Sequence, residues 1–143
     1  SIAIEKKLAY NKKMFGEFSV LNYDNLTLFQ GDFFKLKPAD INRPDWIYDR
    51  AALIALPLSM QKSYVDHLVS FMKKGTRLLL ISLEFPENEL TGPPFPITQP
   101  HLNHLFSDYN VSCLASHQLE DKRFAQRTFN VSYLIERLYL ITA

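Results

Sequence analysis

Hydrophobic residues recur along the chain with a spacing that predicts several helices. The clearest pattern runs from Ser59 to Lys74, where apolar residues form one stripe behind Ser59 as N-cap and ahead of Gly75 as C-cap. Three shorter segments also favour helix or a single helical turn: residues 2–12 by amphipathic spacing, 51–56 by helical propensity, and 99–106; Pro38 predicts one turn at 37–40.

Other stretches are rich in β-branched and apolar residues and predict strands. They are residues 26–30, 45–49, 77–83, 111–115 and 131–142. Residues 45–49 are interpreted as a buried strand, and 77–83, apolar almost throughout, as a central parallel strand covered on both faces. We expect the last two strands to pair antiparallel. Helices that alternate with strands predict a doubly wound, mostly parallel α/β sheet.

Ligands of such sheets bind outside the carboxyl ends of the strands. We therefore expect the ligand-binding or catalytic residues at 31–34, at Asp49–Arg50 and at 84–96. Residues 84–100 hold five of the eight prolines and are predicted to lack regular structure. Long loops inside a domain are usually functional or disordered.

The composition indicates which kinds of binding partner and which cellular compartment to expect. A length of 143 residues, with 47% hydrophobic and 22% charged residues, predicts one globular domain. The net charge of +1 gives little support to a nucleic-acid or anionic-membrane partner, and no apolar run approaches the roughly 20 residues of a membrane span. The single Cys113 suits a reducing compartment and predicts a cytoplasmic protein. His101 and His104 are only two ligands, so no metal site is predicted.

Several motifs resemble the thiopurine S-methyltransferase family in order and approximate spacing. They are Gly31–Phe34, Asp45–Leu53 with Ala55–Pro57, Leu79–Glu84, Gly92–Phe95 and Glu136–Leu140. The resemblance covers nearly the whole chain. It implies a Rossmann-like class I methyltransferase that uses S-adenosyl-L-methionine and releases S-adenosyl-L-homocysteine. The implied acceptor is a small-molecule thiol, thione or thiopurine, or a selenium or tellurium compound, and the implied full-length state is a monomer.

The family's first strand, with its Gly-containing loop, and its second strand, with an acidic end, have no counterpart here. The resemblance therefore implies that residues 1–143 form the C-terminal part of a single methyltransferase domain, with the missing first strand between residues 26–30 and 45–49. Two explanations stay open: a fragment of a longer enzyme, or a short protein whose missing strands come from a partner. A non-catalytic α/β module is the alternative function.

Cofactor roles are implied by the resemblance for two segments. Asp32 and Phe33 would hold the adenine, with Phe34 as an alternative ring, whereas a structural interpretation makes Asp32 a turn residue and the phenylalanines core. Asp49 and Arg50 would lie beside the transferred methyl group, where Arg50 binds the cofactor carboxylate or an anionic acceptor. The structural alternative is an Asp49–Arg50 ion pair.

Acceptor contacts are implied at two more places. Arg127 would join Arg50 in stabilising the anionic acceptor, with Arg123 or a plain surface charge as alternatives. Pro94 and Phe95 would form the rim and an aromatic wall of the acceptor pocket. The alternative there is a rigid connector with Phe95 as a hydrophobic plug.

Overall fold

The structure is a computed structural model that describes residues 11–143, in two units that divide between Asp40 and Ile41. The first unit is an antiparallel sheet of three strands in chain order: β1 (Asn11–Phe15), β2 (Phe18–Tyr23) and β3 (Leu26–Gln30). Gly16 and Asp24, both with positive φ, occupy the two hairpin turns, where that conformation matches the twist of the strands. Single 3₁₀ turns follow at Phe33–Lys35 and Pro38–Asp40.

Two predictions for this unit are confirmed, namely the strand at residues 26–30 and the turn at 37–40. The helix predicted at residues 2–12 lies outside the described residues, except for Asn11 and Lys12, which are in β1 rather than in a helix. Strand β2 was not predicted, although Phe18, Val20 and Leu21 are buried within it.

The second unit contains a four-stranded mixed sheet. Its strands are β4 (Trp46–Asp49), β5 (Arg77–Glu84), β6 (Asn110–Gln118) and β9 (Ile135–Thr142), in the order β4-β5-β9-β6. Strand β4 is parallel to β5, whereas β9 is antiparallel to both β5 and β6. This confirms the α/β class and the antiparallel pairing of the last two strands. This sheet holds one parallel and two antiparallel pairs, so the described residues do not form the mostly parallel sheet that was expected.

Two helices belong to this unit, α1 (Leu58–Val69) and α2 (Gln99–Leu105). The second agrees with the prediction. The first has Pro57 as its N-cap, two residues before the predicted Ser59, and ends at Val69 instead of Lys74. It ends there because the amides of Phe71 and Met72 donate to carbonyls three residues back, which tightens the chain out of the α-helix. Residues 51–56 form only a 3₁₀ turn, Leu53–Ala55.

The core of the second unit lies on one face of β5 and β9. Leu78, Leu80, Tyr139 and Ile141 are fully buried there, while α1 buries Tyr64, Val65 and Leu68 and α2 buries Leu102 and Leu105. Strand β4 is not the buried strand that was predicted: Trp46 and Tyr48 are 53% and 63% exposed, and Asp49 is 3% exposed. Trp46 and Tyr48 alternate with Ile47 and Asp49, so one face of β4 is exposed while the other is covered.

The segment before β9 carries a short hairpin that was not predicted, made of β7 (Arg123–Phe124) and β8 (Arg127–Thr128). Ala125 and Gln126 form its turn, both with positive φ. Consequently β9 begins at Ile135, four residues later than expected. The proline-rich segment holds one 3₁₀ turn, Glu87–Glu89, and is otherwise irregular, as predicted.

Candidate functional site

An apolar cavity of about 230 Å³ lies beside the end of β4. The first 3₁₀ turn after that strand, the proline-rich loop and the β7–β8 hairpin each provide part of its wall. The lining residues are Ala51, Ile54, Ala55, Pro93, Pro94, Phe124, Ala125, Arg127 and Phe129. Arg127 is the charged residue in this lining. The cavity therefore offers a small apolar space with a single cation.

The turn that follows β4 is held by the buried carboxylate of Asp49. Its Oδ1 accepts from the amides of Ala52 (3.2 Å) and Leu53 (3.3 Å), and its Oδ2 accepts from the Tyr64 hydroxyl at 2.5 Å. Burial, and then the negative charge of Asp49, raise the pKa of Tyr64, so this hydroxyl stays protonated and donates. Both oxygens of Asp49 are used inside the chain, which leaves little capacity for a cofactor.

Arg50 is exposed and lies against a ring of the cavity wall. Its guanidinium carbon is 4.6 Å from the centroid of Phe124, a cation–π distance. The ion pairs of the described residues do not include one between Arg50 and Asp49. The structure therefore brings Arg50 to the border of the cavity, through Phe124, instead of pairing it with its neighbour.

Arg127 reaches the cavity from the hairpin. Its guanidinium carbon is 4.6 Å from the centroid of Phe129, and one of its nitrogens donates to the carbonyl of Pro93 at 3.1 Å. Arg123, the alternative considered from the sequence, is exposed and does not line the cavity. Of the two, Arg127 is the one placed at this wall.

The proline-rich loop divides its residues between two cavities. Pro93 and Pro94 line the cavity described above, whereas Phe95 lines a different cavity of about 330 Å³. The Phe95 ring packs on Gly92, where a Cβ would lie 2.6 Å from Phe95 Cε1, and the Phe95 amide donates to the Ile54 carbonyl at 2.7 Å. Phe95 therefore anchors the loop, and its ring is not part of the wall beside Arg127.

A second tether holds the same loop. The Glu89 carboxylate accepts from the amide of Ser132 at 2.7 Å and also from its hydroxyl. These two bonds lower the pKa of Glu89. The loop is thus bonded at Glu89 and at Pro93 to the chain that follows β7.

The second cavity borders His101, whose Nε2 lies 2.7 Å from Gln61 Oε1. Because the Gln61 amide nitrogen donates to the Leu56 carbonyl, its oxygen faces His101 and Nε2 is the donor. Burial, with a smaller effect from His104, lowers the pKa of His101. No group of three or more His, Cys, Asp or Glu side chains suited to a metal ion occurs within residues 11–143.

The turn after β3 belongs to the first unit. Asp32 Oδ1 accepts from the Phe34 amide at 3.0 Å and so caps the 3₁₀ turn, which is the turn role considered from the sequence. Phe33 is half-buried and Phe34 is 40% exposed, with ring centroids 6.3 Å apart. One turn therefore combines an acidic acceptor with accessible aromatic rings.

Sequence reasoning missed Tyr64, Phe124 and Phe129. Tyr64 was assigned only to the apolar stripe of its helix, because nothing local links residue 64 to Asp49. The two phenylalanines flank Arg127 three residues before and two after it. This spacing is a usable signal for the contact of Arg127 with Phe129, whereas the partner of Phe124 is the distant Arg50, which no local pattern indicates.

The amino-acid sequence is similar to a known protein family and to several named proteins. The thiopurine S-methyltransferase family matches residues 1–143. Thiopurine S-methyltransferase of Photobacterium profundum is 38% identical over 126 residues, and that of Vibrio parahaemolyticus is 36% identical over 128; they cover 88% and 90% of this chain. The Marinobacter nauticus protein of the same name is 40% identical over 112 residues, or 77% of the chain. The chain belongs to the thiopurine S-methyltransferase family.

The chain spans about half the length of these curated relatives, since the matches cover 57%, 58% and 51% of them. Family membership confirms the resemblance drawn from Gly31–Phe34, Asp45–Pro57 and Gly92–Phe95. Methyltransferases of this kind use S-adenosylmethionine in general. Among the residues that the structure describes, no helix is long and apolar enough to cross a lipid bilayer.

Proposed function

We propose that the protein is an S-adenosylmethionine-dependent S-methyltransferase whose acceptor is a small anionic thiol or thione, such as a thiopurine, or a related selenium or tellurium compound. The observation that carries this proposal is the cavity at the end of β4, which is apolar except for Arg127. Its volume of about 230 Å³ is below the ≈ 300–1,000 Å³ of sites for drug-sized ligands and suits a small ring.

The lining suits an acceptor that is flat and negatively charged. Proline and phenylalanine side chains form much of the wall, and a guanidinium gains strength as a partner for an anion where a bound acceptor displaces water from it. Thiols and thiones of low pKa are already ionised near neutral pH, so the chain need not provide a strong base. Rate acceleration would then come from holding the acceptor in position and from keeping water away.

In this proposal Arg127 and Arg50 are the catalytic residues. Arg127, in the lining, binds the anionic acceptor, and Arg50, on Phe124, binds either the same anion or the carboxylate of the cofactor. Pro94 shapes the cavity and Phe95 fixes the loop that carries it. Asp49 is assigned to support the Arg50 turn, since its oxygens are already bonded within the chain.

The cofactor would supply a methyl group activated on a sulfonium. The Asp32–Phe34 turn fits its adenine, because Asp32 keeps Oδ2 for the exocyclic amine while Oδ1 caps the turn, and Phe33 offers a ring face. Arg50 has the charge that a carboxylate requires. We therefore assign Asp32, Phe33 and Arg50 to cofactor binding.

The test is a calorimetric titration of the protein with 6-mercaptopurine in the presence of S-adenosylhomocysteine. Arg127→Met should weaken thiopurine binding about tenfold, because one charge-assisted contact of roughly 1.4 kcal/mol is lost. Arg50→Met should lower the affinity for the thiopurine or for S-adenosylhomocysteine.

Arg77→Met is the matched control, because Arg77 also stacks on an aromatic ring, with its guanidinium carbon 5.0 Å from the centroid of Trp46, but does not line the cavity. It should leave both affinities unchanged. The proposal fails if the thiopurine does not bind, or if Arg77→Met weakens its binding as much as Arg127→Met does.

A further inference from the structure

The Asp49 carboxylate joins three parts of the second unit at one point. It stands at the end of β4, its Oδ1 accepts from Ala52 and Leu53 in the following turn, and its Oδ2 accepts from Tyr64 on α1. Asp49 and Tyr64 are 3% and 8% exposed, so water does not readily replace these bonds. The carboxylate therefore fixes the turn relative to the strand and the helix.

Arg50 and Ala51 are the two residues that this turn encloses. Ala51 has φ +67°, a left-handed conformation that is unfavourable for an L-residue. A turn with such strain persists only where surrounding bonds hold it. The bonds that close it are those accepted by Asp49 Oδ1, and the direction in which Arg50 leaves the backbone depends on them.

We propose that Tyr64 is a positioning residue for Arg50: its hydroxyl fixes the Asp49 carboxylate, and the carboxylate holds the turn that presents Arg50 to the ring of Phe124. The part that Arg50 plays in a reaction rests on the proposed function. The effect of Tyr64 on the position of Arg50 is inferred only from the hydrogen bonds that Asp49 accepts from Tyr64, Ala52 and Leu53.

Removal of the hydroxyl should act on Arg50 while the helix remains. The ring of Tyr64 is buried with Val65 and Leu68 on α1, and a phenylalanine keeps that ring. Without the donor, Oδ2 loses its partner, and the carboxylate rotates or admits water to satisfy it. The Ala52 and Leu53 bonds then lengthen, and Arg50 leaves the face of Phe124.

The experiment is an NMR measurement on the 143-residue chain with isotope-labelled arginine. The ring current of Phe124 displaces the Arg50 side-chain resonances, and a Phe124→Leu variant identifies that displacement. In Tyr64→Phe we expect the displacement to be lost and the amides of Ala52 and Leu53 to exchange faster with solvent.

Tyr109→Phe is the matched control. Tyr109 packs edge-on against Phe106, with centroids 6.4 Å apart, and takes no part in the Asp49 bonds. It should leave the Arg50 resonances where they are. A folded Tyr64→Phe chain that keeps the full Arg50 displacement and the slow exchange of Leu53 would overturn the proposal.

Affinity measurements separate this inference from the proposed function. If Tyr64→Phe releases Arg50 and weakens thiopurine or S-adenosylhomocysteine binding as Arg50→Met does, both stand. If Arg50 is released but Arg50→Met changes neither affinity, the positioning link stands and the proposed role of Arg50 fails. If Arg50→Met weakens binding while Tyr64→Phe leaves Arg50 in place, the positioning link alone is refuted.

Discussion

Arg50 and Arg127 both lie on phenylalanine rings of one cavity wall, at the same distance of 4.6 Å, but the chain supports them differently. Arg50 follows a strand of the central sheet and stands on a turn closed by a buried carboxylate. Arg127 lies in a hairpin whose strands have two residues each, and its guanidinium bonds to a carbonyl of a neighbouring loop. One arginine is supported from the core and the other from the surface.

The difference indicates how the two cations would behave when an anion binds. Segments with few buried contacts open at low free-energy cost, whereas core elements open only with the whole fold. We therefore expect Arg127 to adjust to the acceptor and Arg50 to be set in advance. Damage to the support of Arg50 should therefore cost more stability than damage to the support of Arg127, which should also weaken acceptor binding.

Among the variants considered, Asp49→Ala, which removes the support of Arg50, should lower the stability most. It removes the carboxylate that accepts from the buried Tyr64 hydroxyl and from the Leu53 amide, and we expect the free energy of unfolding to fall by about 4 kcal/mol. Urea denaturation with an unchanged slope measures this. Asp121→Ala is the control, since Asp121 accepts from the Arg123 amide at 3.1 Å on the exposed hairpin side. It should cost less than about 1 kcal/mol, and equal losses in the two variants would remove the distinction between core and surface support.

Gly92→Ala tests the loop that receives the Arg127 bond, and it should cost about 3 kcal/mol. Gly92 has φ +77°, and an added Cβ would lie 2.6 Å from Phe95 Cε1, so backbone strain and a steric clash combine. The displaced loop should also move the Pro93 carbonyl and weaken thiopurine binding.

Gly75→Ala separates these two causes. Gly75 has φ +93° with no atom within 4 Å of an added Cβ, so strain alone of about 1 kcal/mol is expected there. Unfolding and calorimetric titration of the two variants give the contribution of the Phe95 contact by difference. A Gly92→Ala protein no less stable than Gly75→Ala would show that Phe95 does not anchor the loop.

The two arginine supports also show what a sequence can predict. The Arg50 segment follows a recognisable strand and carries a specific string, Asp45–Pro57, so its place at a strand end was predictable. Its support was not, because the partner of Asp49 lies fifteen residues away on α1. A hydrogen bond between elements leaves no periodic pattern for sequence analysis to find.

The Arg127 segment gave a weaker signal. Strands of two residues are too short to show an alternating pattern. The turn of the hairpin has Ala125 and Gln126 at positive φ, whereas Asn or Gly, the usual residues in such a turn, would have predicted it. The sheet shows the same limit at β4, whose apolar sequence predicted burial. The exposure of Trp46 depends on what covers its face of the strand, and one strand's composition does not determine that.

A pH series on Glu89→Gln tests the outer tether of the Arg127 loop, where we expect the smallest effect. Bonds from Ser132, with a minor contribution from Lys122, hold the pKa of Glu89 below its ordinary value of 4.5. A lowered folded-state pKa gives stability that is fully present above the unfolded pKa and is lost as the pH falls through the folded one. The parent chain should therefore melt at a higher temperature than Glu89→Gln at neutral pH, and the gap should close as the pH falls below the ordinary pKa of 4.5 and through the lowered folded-state pKa. Glu87→Gln, in the same 3₁₀ turn but without a bond to Ser132, should show no such closing gap, and a gap that is constant with pH would refute the tether.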